Sequence, residues 1–287
     1  VTTISITRDT LPDLSKGGAH KYDAGHALVI SGGPHKTGAA RLAARGALRI
    51  GAGLVTLACP LRAMPEVAGH VTAIMLKGLD GPSGLAEILE DTRFNAICLG
   101  PGMGLGQITA NLAQVALESG RACVLDADAL SRFQRKPEVL FGLLHDKAVL
   151  TPHGGEFARL FPDLAQVLKD ADDALEVKTE VAKQAAARSG AIVLFKGVET
   201  VIANPAGRVA VHSATGARAV PWLGTAGAGD VLSGFVTGLM ARGHAPMVAA
   251  EAATWLHVEC ARIFGPGLIA EDLPEQLPKA FRDVVSP

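Results

Sequence analysis

Seven short runs of this chain are apolar almost without a break: Ala27–Ser31, Leu54–Ala58, Ala73–Leu76, Ala96–Leu99, Ala122–Leu125, Ala148–Leu150 and Ala191–Phe195. A strand with one face in water alternates apolar and polar residues, so an unbroken run marks a strand covered on both faces. Helical periodicity lies between several of these runs, over Ala39–Ile50, Ile108–Glu118, Gly155–Leu160 and Ala174–Arg188. The alternation predicts an α/β fold, a mostly parallel central sheet with helices on both faces.

After Phe195 the pattern changes. Thr200–Ala203 and Arg208–His212, joined by Asn204-Pro205-Ala206-Gly207, predict a hairpin. Two helices follow, at Ala228–Arg242 and Pro246–Ile263, expected to form a C-terminal helical edge. With 287 residues, no internal repeat and no linker, a single domain is expected over 21–287, preceded by an irregular arm over 1–20.

Composition narrows the partners. A net charge of -1 argues against nucleic acid or an anionic membrane surface. No stretch of apolar residues is long enough to span a bilayer and no signal-like segment opens the chain, so a cytoplasmic protein is expected. The chain begins with Val1, which suggests processing or excision from a longer one. Cys59, Cys98, Cys123 and Cys260 form no C-x-x-C pair and read as buried thiols.

Several motifs are excluded. Without a Gly-Lys dipeptide there is no Walker A loop. The run Gly100-Pro101-Gly102-Met103-Gly104-Leu105-Gly106 does not match G-x-G-x-x-G, which argues against a dinucleotide fingerprint. There is no G-x-S-x-G elbow. His153-Gly154-Gly155-Glu156 lacks the spacing of a zinc helix.

What remains is Gly224-Thr225-Ala226-Gly227-Ala228-Gly229-Asp230-Val231-Leu232-Ser233-Gly234. A loop of small residues runs into an apolar helix, whose first amides lack intrahelical acceptors and point outward. With the helix dipole they form an anion hole, here at Gly227, Ala228 and Gly229. Asp230 at the same edge reads as a general base for an incoming hydroxyl, or simply as an acid favoured by the dipole. Lys196 follows a buried strand and reads either as a phosphate partner or as a surface lysine. His153 reads as a ligand donor or a helix cap. Asp126 and Asp128 lie at a strand's C-terminal edge, suited to orient a ligand, to hold magnesium through water, or to cap a helix.

Gly-Ala-Gly-Asp opening a late helix resembles the signature of ribokinase-like small-molecule kinases. More of the chain is similar to one branch, the ADP/ATP-dependent NAD(P)H-hydrate dehydratases. The matching blocks are His20-Lys21 with Gly25–Ile30, Gly38–Ala44, Gly51–Thr56, Leu99–Gly104, Leu125–Leu130, Leu150–Phe157 and Lys196-Gly197 with Thr200–Ile202. They occur in collinear order over roughly residues 20–280.

The resemblance implies a ribokinase-like three-layer sandwich and dehydration of hydrated NADH or NADPH, driven by ADP or ATP with Mg2+. It places the nucleotide against Lys196, Gly197, Val198, Glu199, Thr200 and Gly229. It places the hydrated dinucleotide near Ala40, Gly102, Gly104, His153 and Asp230, with Asp230 as the catalytic residue. It further implies magnesium carried with the nucleotide and no direct side-chain ligation of metal. A homo-oligomer, often a tetramer, and a link to an NAD(P)H-hydrate epimerase are also implied. Tyr22, Ala217, Trp222 and Leu223 depart from the family pattern. A plain kinase of the same fold, acting on a vitamin-precursor alcohol, and a non-catalytic nucleotide-binding module are the alternatives.

Overall fold

The computed structural model describes residues 3–18, 20–170 and 174–285. Among these, ten strands build one sheet: β1 (Thr3–Ser5), β2 (His26–Ile30), β3 (Leu54–Cys59), β4 (Met75–Gly78), β5 (Phe94–Leu99), β6 (Ala122–Leu125), β7 (Ala148–Leu150), β8 (Ile192–Phe195), β9 (Glu199–Ala203) and β10 (Val209–Ser213). Their order is β1-β10-β9-β8-β7-β6-β5-β2-β3-β4. All neighbours from β4 to β8 run parallel, and only β9 is antiparallel to both of its partners.

One face carries α1 (Gly38–Arg49), α2 (Met64–Ala68), α10 (Ala228–Ala241), α11 (Pro246–Phe264) and α12 (Asp272–Arg282). The other carries α3 (Gly81–Ile88), α4 (Gln107–Glu118), α5 (Asp128–Ser131), α6 (Pro137–Phe141), α7 (Gly154–Leu160), α8 (Pro162–Lys169) and α9 (Ala174–Ser189). The pleat divides each strand between the two cores. In β2, Ala27 and Val29 face α1 and α10, while Leu28 and Ile30 face the opposite layer. The expected α/β/α sandwich is what forms.

Three expectations are corrected. The arm is not wholly irregular: Thr3–Ser5 adds a strand beside Val209–Val211. The strand expected at Ala73–Leu76 begins two residues later, at Met75. It is an edge strand with alternating exposure, so an unbroken apolar run was the wrong signal there. The C-terminal helices form no edge, because α10 lies across the sheet face against β5 and β6. From Val231 to Ala241 every residue of α10 is buried, the hydroxyls of Ser233 and Thr237 being satisfied by Asp126 Oδ2 and Ser233 O.

Close packing fixes where α10 crosses α1. A Cβ on Gly234 would sit 2.1 Å from Ala43 O of α1, so the two helix backbones touch at a crossing that only glycine permits. At the other layer boundary, β2 leads into α1 on one face and β5 into α4 on the other. The strand order reverses between them, which opens a crevice beyond the C-terminal ends of the strands. Among the described residues, no helix is long and apolar enough to cross a membrane.

Candidate active site

The chain enters α10 through Gly227, whose φ is +87°. A side chain there would be strained and would lie 2.6 Å from Leu42 Cδ1. The turn leaves a set of exposed first-turn amides. Ala228 N–H reaches Thr225 O at 3.4 Å and Val231 N–H donates to Gly227 O at 3.1 Å. Among the described residues, the amides of Gly227, Gly229 and Asp230 meet no protein acceptor. Of the three amides expected to form an anion hole, those of Gly227 and Gly229 are open and that of Ala228 is engaged, and Asp230 adds a further open amide.

Asp230 stands half-buried on this tip. Burial pushes its carboxyl up to about 7, helped by Asp126, Glu156 and Asp128 and opposed by Lys196. A base poised there is half ionised near neutrality.

Lys196, which follows β8, stands beside the tip: a Cβ on Gly229 would lie 3.2 Å from its Nζ. Its ammonium donates to Asp126 Oδ1 at 2.9 Å and lies 4.0 Å from Glu156 Oε2. Burial alone would lower the Lys196 pKa, but Asp126 and Glu156 outweigh it and the net shift is upward. Asp126 is 2% exposed. Burial works against its charge, yet Lys196 and the Ser233 hydroxyl, donating to Oδ2 at 2.7 Å, hold its carboxyl below the usual range. Both of its oxygens are thereby engaged by the protein, which makes Asp126 an anchor for Lys196.

The residue after it explains the aim. Ala127 has φ +47° and ψ -114°, a strained conformation for a residue with a Cβ. It sends Asp126 toward Lys196 and Ser233, while Asp128 Oδ2 accepts from Gly104 N–H at 2.7 Å. Asp128 so ties the Gly102–Gly104 loop to the acid cluster.

A cavity of about 730 Å³ opens beside the tip, lined among others by His153, Lys196, Val198, Thr225, Gly229 and His257. That is within the ordinary size of a small-molecule site. Gly197 and Thr200 also line it, whereas Glu199 does not and instead gives its carbonyl to Lys178 Nζ at 2.6 Å. Gly102 and Gly104 are partly exposed, but Ala40 is fully buried and shows no surface to a ligand. His153 caps α7, its Nδ1 accepting from Gly155 N–H at 3.0 Å, and the residue also lines the cavity.

Among the family departures, Leu223 lines the cavity and Trp222 beside it is 55% exposed. Tyr22 is instead tied to Arg93, which donates to its hydroxyl at 2.9 Å. A second cavity of about 530 Å³ near the C-terminal end of α1 carries no acid cluster, and its Arg45 and Arg49 already pair with Glu275.

Glu156, Ser233 and His257 escaped sequence reasoning. Glu156 had a local signal, since its Oε2 accepts from His153 N–H at 2.9 Å in a capping box. Ser233 and His257 had none.

The fold is that of a ribokinase-like α/β protein, in which Ala228 and Gly229 at the tip of α10 line the cavity with Lys196, whereas Asp126, Glu156 and Asp230 are not among its lining residues. A ribokinase-like superfamily protein of Enterococcus faecalis superposes with a TM-score of 0.80 at 19% identity, over 99% of this chain and 97% of that one. The family model described as NAD(P)H-hydrate dehydratase matches residues 27–280, and the chain belongs to that family.

A bifunctional NAD(P)H-hydrate repair enzyme of Moorella thermoacetica is 37% identical over 98% of this chain and 54% of its own length. The chain spans about half the length of such bifunctional relatives. An ADP-dependent (S)-NAD(P)H-hydrate dehydratase of Xanthomonas campestris is 32% identical over 97% of this chain and 94% of its own. The ADP/ATP-dependent NAD(P)H-hydrate dehydratase of Bacillus subtilis, co-crystallised with ATP/Mg2+, is 25% identical with a TM-score of 0.77, over 96% and 95% of the two chains. A hydroxyethylthiazole kinase shares only the fold, at 14% identity and a TM-score of 0.57.

Proposed function

We propose that residues 21–287 act as one catalytic domain that uses ADP or ATP to dehydrate hydrated NADH or NADPH back to the reduced dinucleotide. The observation that carries this reading is Asp230: a carboxyl whose pKa is lifted to about 7, on a helix tip whose Gly229 and Asp230 amides are open. Family membership and the full-length match to the Xanthomonas enzyme support the substrate.

In this reading the nucleotide occupies the cavity beside Lys196, Gly197, Val198 and Thr200, with its terminal phosphate at the tip of α10. The hydrated dinucleotide enters from the side of Gly102, Gly104 and His153. Asp230 takes the proton of the ring hydroxyl, and the freed oxygen attacks the terminal phosphoryl group as the phosphoanhydride bond breaks, releasing AMP from ADP or ADP from ATP. The open amides stabilise charge on the transferred phosphate. The phosphate then departs with the C–O bond electrons as the ring nitrogen's lone pair forms an iminium, and loss of the proton from the neighbouring C5 carbon returns those electrons to nitrogen and leaves the C5=C6 double bond of the reduced nicotinamide.

Three carboxylates, of Asp126, Glu156 and Asp230, act on the ammonium of Lys196, an excess of negative charge that magnesium carried by the nucleotide would offset. Magnesium bound with the nucleotide would supply positive charge to the phosphates on that side. The bifunctional relatives support a physical or functional partnership with an NAD(P)H-hydrate epimerase. A cytoplasmic homotetramer completes the reading.

The test is direct. The protein is incubated with hydrated NADH, magnesium and either ADP or ATP, and reduced-nicotinamide absorbance is followed together with inorganic phosphate. Recovery of both, dependent on nucleotide, is expected. A stable phosphoester in place of free phosphate would return the reading to a plain kinase, and no reaction with either nucleotide would leave a binding module.

A further inference from the structure

We infer that His257 is a positioning residue that sets the orientation of the phosphate-facing peptide at the tip of α10. The role rests on the reading of that tip as the phosphate site. His257 stands on α11, 29 positions from Ala228 in sequence, and is 6% exposed. Its Nε2 lies 2.8 Å from Ala228 O, and its ring also lines the 730 Å³ cavity.

A carbonyl oxygen only accepts, so Nε2 carries the hydrogen and donates it. Burial pushes the ring's pKa down to about 4, with Lys196 and His212 acting in the same direction and the bond to Ala228 against it. The imidazole is neutral at physiological pH, with its single proton committed to this bond. Phe235 meets the ring edge-on at 6.1 Å between centroids and limits its rotation.

The consequence follows from peptide geometry. In a trans peptide the C=O and N–H groups point in opposite directions, and there are no cis peptide bonds among the described residues. Holding Ala228 O toward α11 turns Gly229 N–H away from α11. That amide is among those with no protein acceptor. A helical carbonyl has two lone pairs and its helix uses one, so the imidazole occupies the second without competing with α10. The first turn of α10 holds this peptide from one side, and the imidazole adds a second, lateral restraint on the same carbonyl. One histidine on a neighbouring helix thereby aims a backbone donor at the phosphate.

A structural histidine and a positioning one differ in what their loss changes. His257→Gln keeps an N–H donor at a similar reach, and His257→Met keeps the length without the donor. The Met variant is expected to bind ADP with magnesium ~10-fold more weakly or worse by calorimetric titration, and to lose more in kcat than in nucleotide KM, because a misaimed donor matters most to developing charge. The Gln variant is expected to stay within about threefold of the parent in both.

Equal weakening in Gln and Met, or unchanged binding and turnover in Met, overturns the role. If Met does not fold, His257→Asn, whose amide is too short to reach Ala228, replaces it with the same expectations. The titration needs no turnover. A parent protein that binds ADP but does not restore hydrated NADH therefore sinks the proposed activity and still leaves His257 under test.

Discussion

Replacing Asp230 with Asn should sharply slow turnover and, at the same time, make the protein more stable. The carboxyl is lifted from the ordinary 3.8 to about 7. In the unfolded chain Asp230 ionises near 3.8, while in the native state it keeps its proton to about 7. Between these values the unfolded state binds fewer protons, so stability falls as pH rises through the window and levels off above it. A shift of about three units at 1.36 kcal/mol each sets an upper value of about 4 kcal/mol. Loss of a favourable charge at the helix N-terminus takes back up to about 1 kcal/mol, which leaves about 3. Among the described residues no hydrogen bond to the Asp230 carboxyl exists for Asn to forfeit.

Urea denaturation of parent and Asp230→Asn at a series of pH values measures this. The two curves should coincide below about pH 4 and separate steadily until about pH 7. Nucleotide-dependent recovery of reduced nicotinamide should drop by about 10² to 10⁴. A stability difference that does not grow with pH refutes the raised pKa. Turnover retained in Asn refutes the base.

Asp126→Asn removes the main negative neighbour of Asp230 and frees Lys196 to face it, so the ascending limb of the rate profile should move to lower pH by roughly one unit or more. A limb that stays in place would detach Asp126 from the base. Lys196→Met leaves the 2%-exposed Asp126 without its cation and should cost about 3–5 kcal/mol by denaturant titration, a loss that separates an anchored pair from a surface one. Gly234→Ala forces a Cβ to within 2.1 Å of Ala43 O and should destabilise by about 1–3 kcal/mol or more; an unchanged Tm would show that α1 and α10 do not cross there.

The sandwich was legible because the signal for a doubly covered strand is local. Leu28 and Val29 carry it in themselves, whichever helix eventually covers each. Strands β1 and β4 were missed or displaced for the converse reason. Thr3–Ser5 and Met75–Gly78 are half-exposed edge segments, made strands by the neighbour they pair with. Helix α5 begins at a residue with φ +47°, which no propensity for alanine suggests. The glycine-rich tip of α10 was legible as a turn into a helix, since Gly227, Gly229 and Asp230 fall within four consecutive residues and glycine has a specific use there. Ser233 and His257 were not: each is an ordinary helical residue until the topology brings it to a partner 107 or 29 positions away.

The identity of that partner decides the chemistry. Sequence order places one lysine and several acids at the strand ends, without saying which acid holds the lysine. Paired with Asp230, Lys196 would pull the carboxyl below 3.8 and leave a weak base. The structure pairs it with Asp126 at 2.9 Å, in a carboxylate whose second oxygen is taken by Ser233 and whose direction is set by the strained turn at Ala127. The ammonium is then committed to a buried partner. It still stands beside the helix tip, close enough to meet a phosphate, but its charge is largely balanced before it reaches Asp230. Phosphate attraction and base strength would otherwise compete for the same lysine; here a third residue, Asp126, separates the two demands.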